Sequence, residues 1–294
     1  MVTVATGTDI EVLAQRRGRL PRGSPCTPRR CEQMTVTIHD LRSWKSEGRR
    51  WAMLTAYDFP TAQILDRAGI PVLLVGDSVG RNVLGYANEL PVTMEEMLHH
   101  TRAVARGVEH AMVVGDMPFM SFQASIEDGV RNAGRLVKEG GAHAVKLEGA
   151  QFDLVHRLVD IGIPVMAHIG LTPQSVYGLG GYRVQGRGEA AAKVLDQAHS
   201  LEKSGAFSIV LEAMPADLGA EIAKELQIPT IGIGAGSGTD AQVLVINDLL
   251  GLNEKVPKFA KQYVDLRQTI ATAAEAFVAD VEAGTFPDEE HVYS

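Results

Sequence analysis

Cysteine is nearly absent from this chain of 294 residues. Only Cys26 and Cys31 occur, and both lie within the first 33 residues. Residues 34–294 therefore contain no disulfide framework, no cysteine nucleophile and no thiolate metal site. A fold without disulfides suits a reducing cytoplasm, which is the compartment that we expect.

Long apolar runs and aromatic side chains are also scarce. Aromatic residues make up 5% of the chain, and no apolar run reaches the roughly 18 residues that a membrane-spanning helix needs. We therefore expect a soluble protein without a membrane partner. Hydrophobic residues make up 45% of the chain, which is typical of a globular enzyme with a large core.

Basic residues are concentrated at the start of the chain. Residues 1–33 contain six arginines against Asp9, Glu11 and Glu32, a net charge of +3. Since the whole chain carries −8, residues 34–294 carry −8 minus +3, or −11. A core this acidic argues against a nucleic-acid partner.

The basic segment, residues 1–33, is also rich in proline and glycine and shows no period, so we predict a disordered tail. Binding of an anion and targeting are the alternatives, but the segment lacks the roughly 7–15-residue apolar stretch of a secretion signal. Residues 34–294 are then predicted to form a single domain. Met34 opens this patterned part and is a candidate for the true start.

Eight short apolar segments recur from Trp51 onward, and helical patterns separate most of them. They are mostly apolar without alternation, which is typical of strands covered on both faces. The segments are residues 51–58, 71–78, 111–118, 142–149, 163–170, 207–214, 228–236 and 241–251. An extra helix is predicted at 37–48, before the first strand, and a long helix at about 258–284, after the last.

This repetition predicts an α/β fold, a (β/α)8 TIM barrel with an extra N-terminal helix. A doubly wound open sheet is the alternative, but it leads us to expect a GxGxxG motif after the first strand, and "LTAYDFPT" contains none. In a TIM barrel the active site lies at the C-terminal ends of the strands.

Ionisable side chains stand at these ends in several consecutive strands. A buried unpaired carboxylate is costly, so their repetition indicates a functional site. Lys146 and Glu148 are two residues apart on one strand and therefore share a face. The second to sixth strands end, in order, on Asp77 with Ser78, on Asp116, on Lys146 with Glu148, on His168 and on Glu212.

Three of these carboxylates, Asp77, Asp116 and Glu148, are predicted to bind a divalent cation. Carboxylate oxygens without His or Cys ligands favour Mg²⁺ or Mn²⁺ over zinc. The alternative for either aspartate alone is a helix-capping residue.

Lys146 has three interpretations. It could stabilise an oxyanion, form a Schiff base with a carbonyl group, or make a structural ion pair with Glu148. We favour the first, because a metal ion and a Schiff base would duplicate each other as electron sinks.

Glu212 is the candidate general base, since a carboxylate that is buried and distant from the cation should have a raised pKa. The alternative is a structural carboxylate bonded to loop amides. His168 is either a substrate contact or a satisfied polar group.

Two loops are candidates for a role in binding. The glycines of "GIGAGSG" (232–238) indicate close backbone approach and are only a weak sign of phosphate binding. The long loop at 168–188 could cover the mouth, bind a second substrate or form an interface.

Many motifs, in the right order, resemble the ketopantoate hydroxymethyltransferase family. They are "MLTAYD", "VGDSVG", "LPVTMEEMLHHTRAV", "DMPFMSF", "VKLEG", "HIGLTPQSV", "GGYRVQGRG", "VLEAMP", "IGIGAG" and "PKFAKQY". The resemblance covers roughly residues 35–290, and it implies nothing for residues 1–33.

The resemblance implies a Mg²⁺-dependent barrel enzyme of pantothenate biosynthesis. Such an enzyme transfers a hydroxymethyl group from 5,10-methylenetetrahydrofolate to 3-methyl-2-oxobutanoate through a Mg²⁺-stabilised enolate and gives ketopantoate. A homo-oligomer, commonly a decamer, is also implied.

On this sequence the resemblance assigns roles residue by residue. Metal ligation falls on Asp77, Asp116 and Glu148, and the proton acceptor is Glu212. Contacts to the keto acid fall on Asp77 with Ser78, on Asp116 and on Lys146, and His168 matches a site histidine more loosely. Two alternatives stay open: a folate-independent lyase with a Mg²⁺–enolate mechanism, and an inactive barrel that serves in assembly.

Overall fold

The computed structural model describes residues 35–293. The predicted tail, residues 1–33, lies outside the described residues.

Eight parallel strands pair in sequence order and close into a barrel, because β8 pairs with β1. The strands are β1 (Trp51–Thr55), β2 (Val72–Val75), β3 (Met112–Asp116), β4 (Ala144–Glu148), β5 (Val165–Gly170), β6 (Ser208–Glu212), β7 (Thr230–Ile233) and β8 (Ala241–Leu244). The predicted TIM barrel is confirmed, and an open sheet is excluded.

Side chains alternate in direction along each strand, and this alternation divides the core into two clusters. Odd and even positions of a strand point to opposite faces of a sheet. Val72, Leu74, Met112 and Val114 therefore belong to a cluster inside the barrel, whereas Leu73 and its counterparts belong to a larger cluster between strands and helices. The predicted burial of both strand faces is thus confirmed.

The helices run from α1 to α10 in chain order. Side-chain caps define several helix starts, and Thr37 and Thr93 both form complete capping boxes. The helices are α1 (Ile38–Ser46), α2 (Phe59–Arg67), α3 (Val79–Asn82), α4 (Met94–Gly107), α5 (Ile126–Lys138), α6 (Phe152–Asp160), α7 (Ala190–Lys203), α8 (Ala216–Glu225), α9 (Ile246–Leu250) and α10 (Leu266–Ala283). None of the helices in residues 35–293 has the length and apolar character needed to cross a membrane.

Helix α1 closes the N-terminal end of the barrel. Leu41, on its inner face, is completely buried and joins the interior cluster together with Trp51 and Met53. The predicted extra helix is confirmed, and its position explains why it precedes the first strand.

Three details differ from the sequence-based expectation. The segment 241–251 is not one strand, since β8 ends at Leu244 and α9 follows. The last helix begins at Leu266 rather than near 258, and no helix lies between β7 and β8.

The short link from β7 to β8 packs directly against α8. A Cβ atom at Gly236 would lie 2.4 Å from the Cβ of Ala216, and one at Gly238 would lie 2.5 Å from that of Ala220. These glycines therefore permit close backbone approach, as predicted.

Candidate active site

The same alternation that builds the interior cluster carries polar side chains to the mouth of the barrel. Asp116 follows Met112 and Val114 in phase on β3, and Lys146 and Glu148 follow Ala144 on β4. On β5 and β6 the same phase brings His168 and Glu212 inward. The strand register thus brings five of the predicted site residues together; the remaining two, Asp77 and Ser78, follow β2 and line the same cavity.

Lys146 is paired with Asp116 at the centre of this site. The Lys146 Nζ atom donates to both carboxylate oxygens of Asp116, at 2.7 Å each. The two residues are 4% and 1% exposed, so the pair is shielded from solvent. The predicted alternative of a pair with Glu148 is wrong, because Asp116, on the neighbouring strand, presents both oxygens to the ammonium group.

The pKa of Lys146 reflects the three carboxylates that surround its ammonium group. Burial lowers the pKa of the ammonium group, but the carboxylates of Asp116, Glu148 and Asp77 outweigh that effect and raise the pKa above its ordinary value. The lysine is therefore held in its charged form.

Asp77 and Glu148 are the carboxylates that lack such a partner. Burial, together with repulsion from Asp116, raises the pKa of Asp77 well above its ordinary value. The pKa of Glu148 is raised in the same way by burial and by Asp77. Neither Asp77 nor Asp116 serves as a helix cap. Ser78 precedes α3 and the Asp77 side chain bonds elsewhere, whereas α5, the helix after Asp116, is capped by Ser125.

Gln174 connects these carboxylates, and sequence reasoning missed it. Its Nε2 atom donates to Asp77 Oδ2 and to the carbonyl oxygen of Met117, at 2.9 Å each. Its backbone N–H donates to Glu148 Oε2 at 3.0 Å. It lies on a 3-10 helix, Pro173–Ser175, within the long loop after β5. The length of that loop was the available signal, but nothing in the sequence distinguished this glutamine.

His168 and Glu212 form a second group on the same wall. His168 Nε2 lies 3.2 Å from Glu212 Oε2, and Nδ1 lies 3.6 Å from Glu148 Oε1. Neither ring nitrogen reaches hydrogen-bond geometry, so His168 is not the satisfied polar group of the alternative interpretation.

Glu212 is only partly buried. Its side chain is 15% exposed, so it is less enclosed than the expectation of a buried base required. Within residues 35–293, no loop amide donates to its carboxylate, which removes the structural alternative.

Ser78 lies at the edge of the acidic group. Its Oγ atom is 3.0 Å from the hydroxyl oxygen of Tyr57, which follows β1. Both burial and the Asp77 carboxylate raise the pKa of Tyr57, although the hydrogen bond to Ser78 opposes this shift. The tyrosine therefore stays protonated.

The whole arrangement lines one cavity of about 770 Å³ at the C-terminal mouth. Every predicted site residue contributes to its wall. They are Asp77, Ser78, Asp116, Lys146, Glu148, His168 and Glu212.

The chemistry of this wall fits a hard divalent cation. Three buried carboxylates face one lysine, which leaves uncompensated negative charge when all are ionised, and oxygen ligands are those that Mg²⁺ prefers. The side chains are not already gathered around one point: in the described part of the chain, no three His, Cys, Asp or Glu side chains form a ready metal-binding group. Lys146 and Gln174 instead hold the oxygens of Asp116 and Asp77.

A closed parallel barrel with ionisable residues at the C-terminal ends of its strands defines the chain as an α/β-barrel enzyme. The family model described as ketopantoate hydroxymethyltransferase matches residues 35–289. The chain therefore belongs to the ketopantoate hydroxymethyltransferase family and is a transferase, and the resemblance seen in the motifs is confirmed.

Curated relatives agree with this assignment. A 3-methyl-2-oxobutanoate hydroxymethyltransferase of Thermobifida fusca is 56% identical over 262 residues, which cover 88% of this chain and 94% of the relative. One of Syntrophus aciditrophicus is 53% identical and covers 88% of this chain and 96% of the relative.

Solved structures support the fold alone. A phosphonopyruvate hydrolase matches with a TM-score of 0.58 at 13% identity, over 89% of this chain and 92% of that chain. A 2,3-dimethylmalate lyase matches with a TM-score of 0.56 at 14% identity, over 88% and 93%.

Proposed function

We propose that this enzyme converts 3-methyl-2-oxobutanoate into ketopantoate, with 5,10-methylenetetrahydrofolate as the one-carbon donor and Mg²⁺ as the metal. The relatives carry the name of this activity. The observation that carries the proposal is the meeting of the Asp116–Lys146 pair and the His168–Glu212 pair in one cavity. The Asp116–Lys146 pair supplies fixed charge, and the His168–Glu212 pair supplies a proton acceptor.

Asp77, Asp116 and Glu148 would hold the cation. A bound Mg²⁺ supplies Lewis acidity to the oxo and carboxylate oxygens of a 2-oxo acid, which makes the hydrogen on C3 more acidic. The raised pKa values of Asp77 and Glu148 support this assignment, because a cation relieves the repulsion that raises them.

Glu212 would remove the proton from C3 of the keto acid. The electron pair of the C3–H bond then forms the C2–C3 double bond of an enolate, and the proton rests on the Glu212 carboxylate. His168, whose ring lies between Glu212 and Glu148, would orient the base. A positioned base contributes about 10²–10⁴-fold to such a step.

Lys146 would stabilise the developing enolate oxygen by its charge. A Schiff base requires a neutral amine, and the surrounding carboxylates hold this amine protonated. The electrostatic role is therefore favoured. Water would first add to the methylene carbon of the folate, whose C–N bonds break to release tetrahydrofolate and formaldehyde. The enolate carbon would then add to the carbonyl carbon of formaldehyde, and the oxygen of the new hydroxymethyl group would take up the proton from Glu212.

We also infer that the protein is a homo-oligomer. No residue of α10 is buried, and Leu266, Ile270, Phe277 and Val281 recur at helical spacing along one side of it. Ile270, Phe277 and Val281 are each at least half exposed. This unburied stripe supports self-association, which light scattering coupled to size exclusion will test; a monomer would contradict it.

Proton NMR of 3-methyl-2-oxobutanoate in D₂O tests the proposed chemistry. With enzyme and Mg²⁺ the C3–H signal should disappear, and EDTA should prevent the loss. Adding formaldehyde and tetrahydrofolate should then yield ketopantoate. Exchange that is indifferent to EDTA would overturn the metal role, and product formation without folate would favour the folate-independent alternative.

A further inference from the structure

The cavity is much larger than a small keto acid, and part of its wall has no role in the chemistry above. This second part lies toward β8 and α3. It contains Arg81, Glu89, Tyr182, Asp248 and Asn253. We call these five residues the outer wall.

Most polar groups of the outer wall already bond to one another. Glu89 accepts a hydrogen bond from the Tyr182 hydroxyl at 2.8 Å and lies 3.7 Å from Arg81. The Arg81 guanidinium carbon lies 5.4 Å from the centre of the Tyr182 ring. Glu89 is therefore committed to the structure of the wall.

One carboxylate oxygen of Asp248 is the exception. The residue is 5% exposed, and its Oδ1 atom accepts a hydrogen bond from Asn253 Nδ2 at 2.7 Å. Among residues 35–293, Oδ2 makes no hydrogen bond and no cation lies within salt-bridge distance of the carboxylate. Burial raises the pKa of Asp248, although Asn253 and Arg81 oppose that shift. The Oδ2 atom thus lacks a donor that would stabilise the charge.

The orientation of Asp248 is built into the fold. Asn253 also donates to Asn82 Oδ1 at 2.9 Å, and Asn247 Nδ2 donates to the Asn82 carbonyl oxygen at 3.1 Å. These contacts join the segment after β8 to α3. The Asp248 side chain therefore has a fixed direction, which a recognition group needs.

The keto acid cannot be the ligand of Asp248. A 2-oxo acid anion presents only acceptors and negative charge, which this carboxylate would repel. The ligand should instead present hydrogen-bond donors or positive charge. The co-substrate of the proposed function does so, because the 2-amino group and N3–H of the pterin ring lie side by side on one edge.

We propose that Asp248, oriented by Asn253, binds the 2-amino and N3–H edge of the folate pterin. This inference rests on the proposed function, and it assigns the outer wall to the one-carbon donor. The acidic group at β2–β4 is then left for the keto acid, so the two substrates occupy different parts of one cavity.

Direct binding of tetrahydrofolate, measured by calorimetry with Mg²⁺ and keto acid present, tests the assignment. Asp248→Asn should weaken binding by about 10–100-fold, since it replaces a charged acceptor. Glu254→Gln is the matched control, because this carboxylate also lines the cavity but is exposed and paired with Arg267. It should change the dissociation constant less than about twofold. Equal binding by the wild type and Asp248→Asn would overturn the inference.

A change on the ligand side makes the test independent of folding. The wild type should bind 2-desamino-tetrahydrofolate about tenfold more weakly than tetrahydrofolate, and Asp248→Asn should lose most of that preference. Asn253→Ser, which keeps the carboxylate, should weaken tetrahydrofolate binding by about 3–10-fold. If Asp248→Asn keeps the full preference for tetrahydrofolate over 2-desamino-tetrahydrofolate, the assignment of Asp248 is wrong, but the proposed donor is not affected. A wild type that does not bind tetrahydrofolate contradicts the proposed donor as well.

Discussion

At the scale of single residues, charge balance explains the site better than any motif. Lys146 neutralises Asp116, and Gln174 supplies only neutral donors to Asp77 and Glu148. The site therefore keeps an unsatisfied demand for positive charge. Buried charge without a partner destabilises a fold, so its retention here supports a functional reason.

Glu212→Gln separates the base from the fixed charges. Gln fits the same space but cannot accept the C3 proton, so deuterium exchange at C3 should fall by about 10²–10⁴-fold. Binding of Mg²⁺, measured by calorimetry, should persist because Glu212 is not among the proposed ligands. Undiminished exchange would remove Glu212 from its role.

Gln174→Met tests the residue that sequence reasoning missed. Met is of similar size but donates no hydrogen bond, so the Met117 carbonyl and one Asp77 oxygen lose their partner. We expect the free energy of unfolding to fall by about 1–3 kcal/mol, together with weaker Mg²⁺ binding. Denaturant titration and calorimetry measure the two effects.

Gln123→Met provides the comparison for this variant. Gln123 Nε2 donates to Gln174 Oε1 at 3.0 Å and does not touch the carboxylates. It should therefore cost less stability and leave Mg²⁺ binding near the wild-type value. Equal losses of stability and of Mg²⁺ binding in Gln174→Met and Gln123→Met would show that Gln174 acts through packing rather than through its hydrogen-bond donors.

At the scale of elements, the barrel separates catalysis from stability. Helix α1 packs against the N-terminal end of the interior cluster, whereas the ionisable residues lie at the opposite end. Because the two groups of side chains lie at opposite ends of the barrel, we expect changes at the α1 end to affect stability and not catalysis.

Leu41→Ala tests this separation. Leu41 is completely buried, so its truncation leaves a cavity and should lower the free energy of unfolding by about 2–5 kcal/mol. The kcat of the folded variant should stay within about twofold of the wild type. Chemical denaturation and steady-state kinetics provide the measurements, and a large loss of kcat in the folded variant would contradict the separation.

Strands were more predictable than their connections. The strands are short and mostly apolar, and helical patterns separate most of them, so this repetition indicated eight strands and their parallel order. The end of β8 was misplaced because "VINDLLG" is as apolar as a strand, although Ile246–Leu250 forms a helical turn. Short apolar runs have this ambiguity, which tertiary contacts resolve.

The site was predictable where it followed the strands. Asp116, Lys146, Glu148, His168 and Glu212 inherit their direction from strand alternation, and a sequence carries that information. Gln174 and Asp248 lie on a loop and on a short helix, where direction depends on long-range contacts with Asp77 and Asn253. No local pattern encodes those contacts.

At the scale of the whole molecule, the buried carboxylates couple stability to pH and to metal. The pKa values of Asp77 and Glu148 are raised above their ordinary values of 3.8 and 4.5. Protonation is thus easier in the folded state than in the unfolded one. Their contribution to stability is complete below the ordinary values and is lost as the pH rises through the raised values.

Metal should reverse this loss, since Mg²⁺ and protons compete for the same oxygens. We expect the rise in Tm on adding Mg²⁺ to be larger at pH 8 than at pH 6. Asp77→Asn removes one charge and keeps an oxygen for Gln174, so without metal it should be at least as stable as the wild type at pH 8. Its Tm should then rise less with Mg²⁺. Differential scanning fluorimetry at pH 6 and pH 8 measures the Tm of the wild type and of Asp77→Asn, with and without Mg²⁺. A Tm rise independent of pH, or equal in the variant, would show that the carboxylates do not bind the cation.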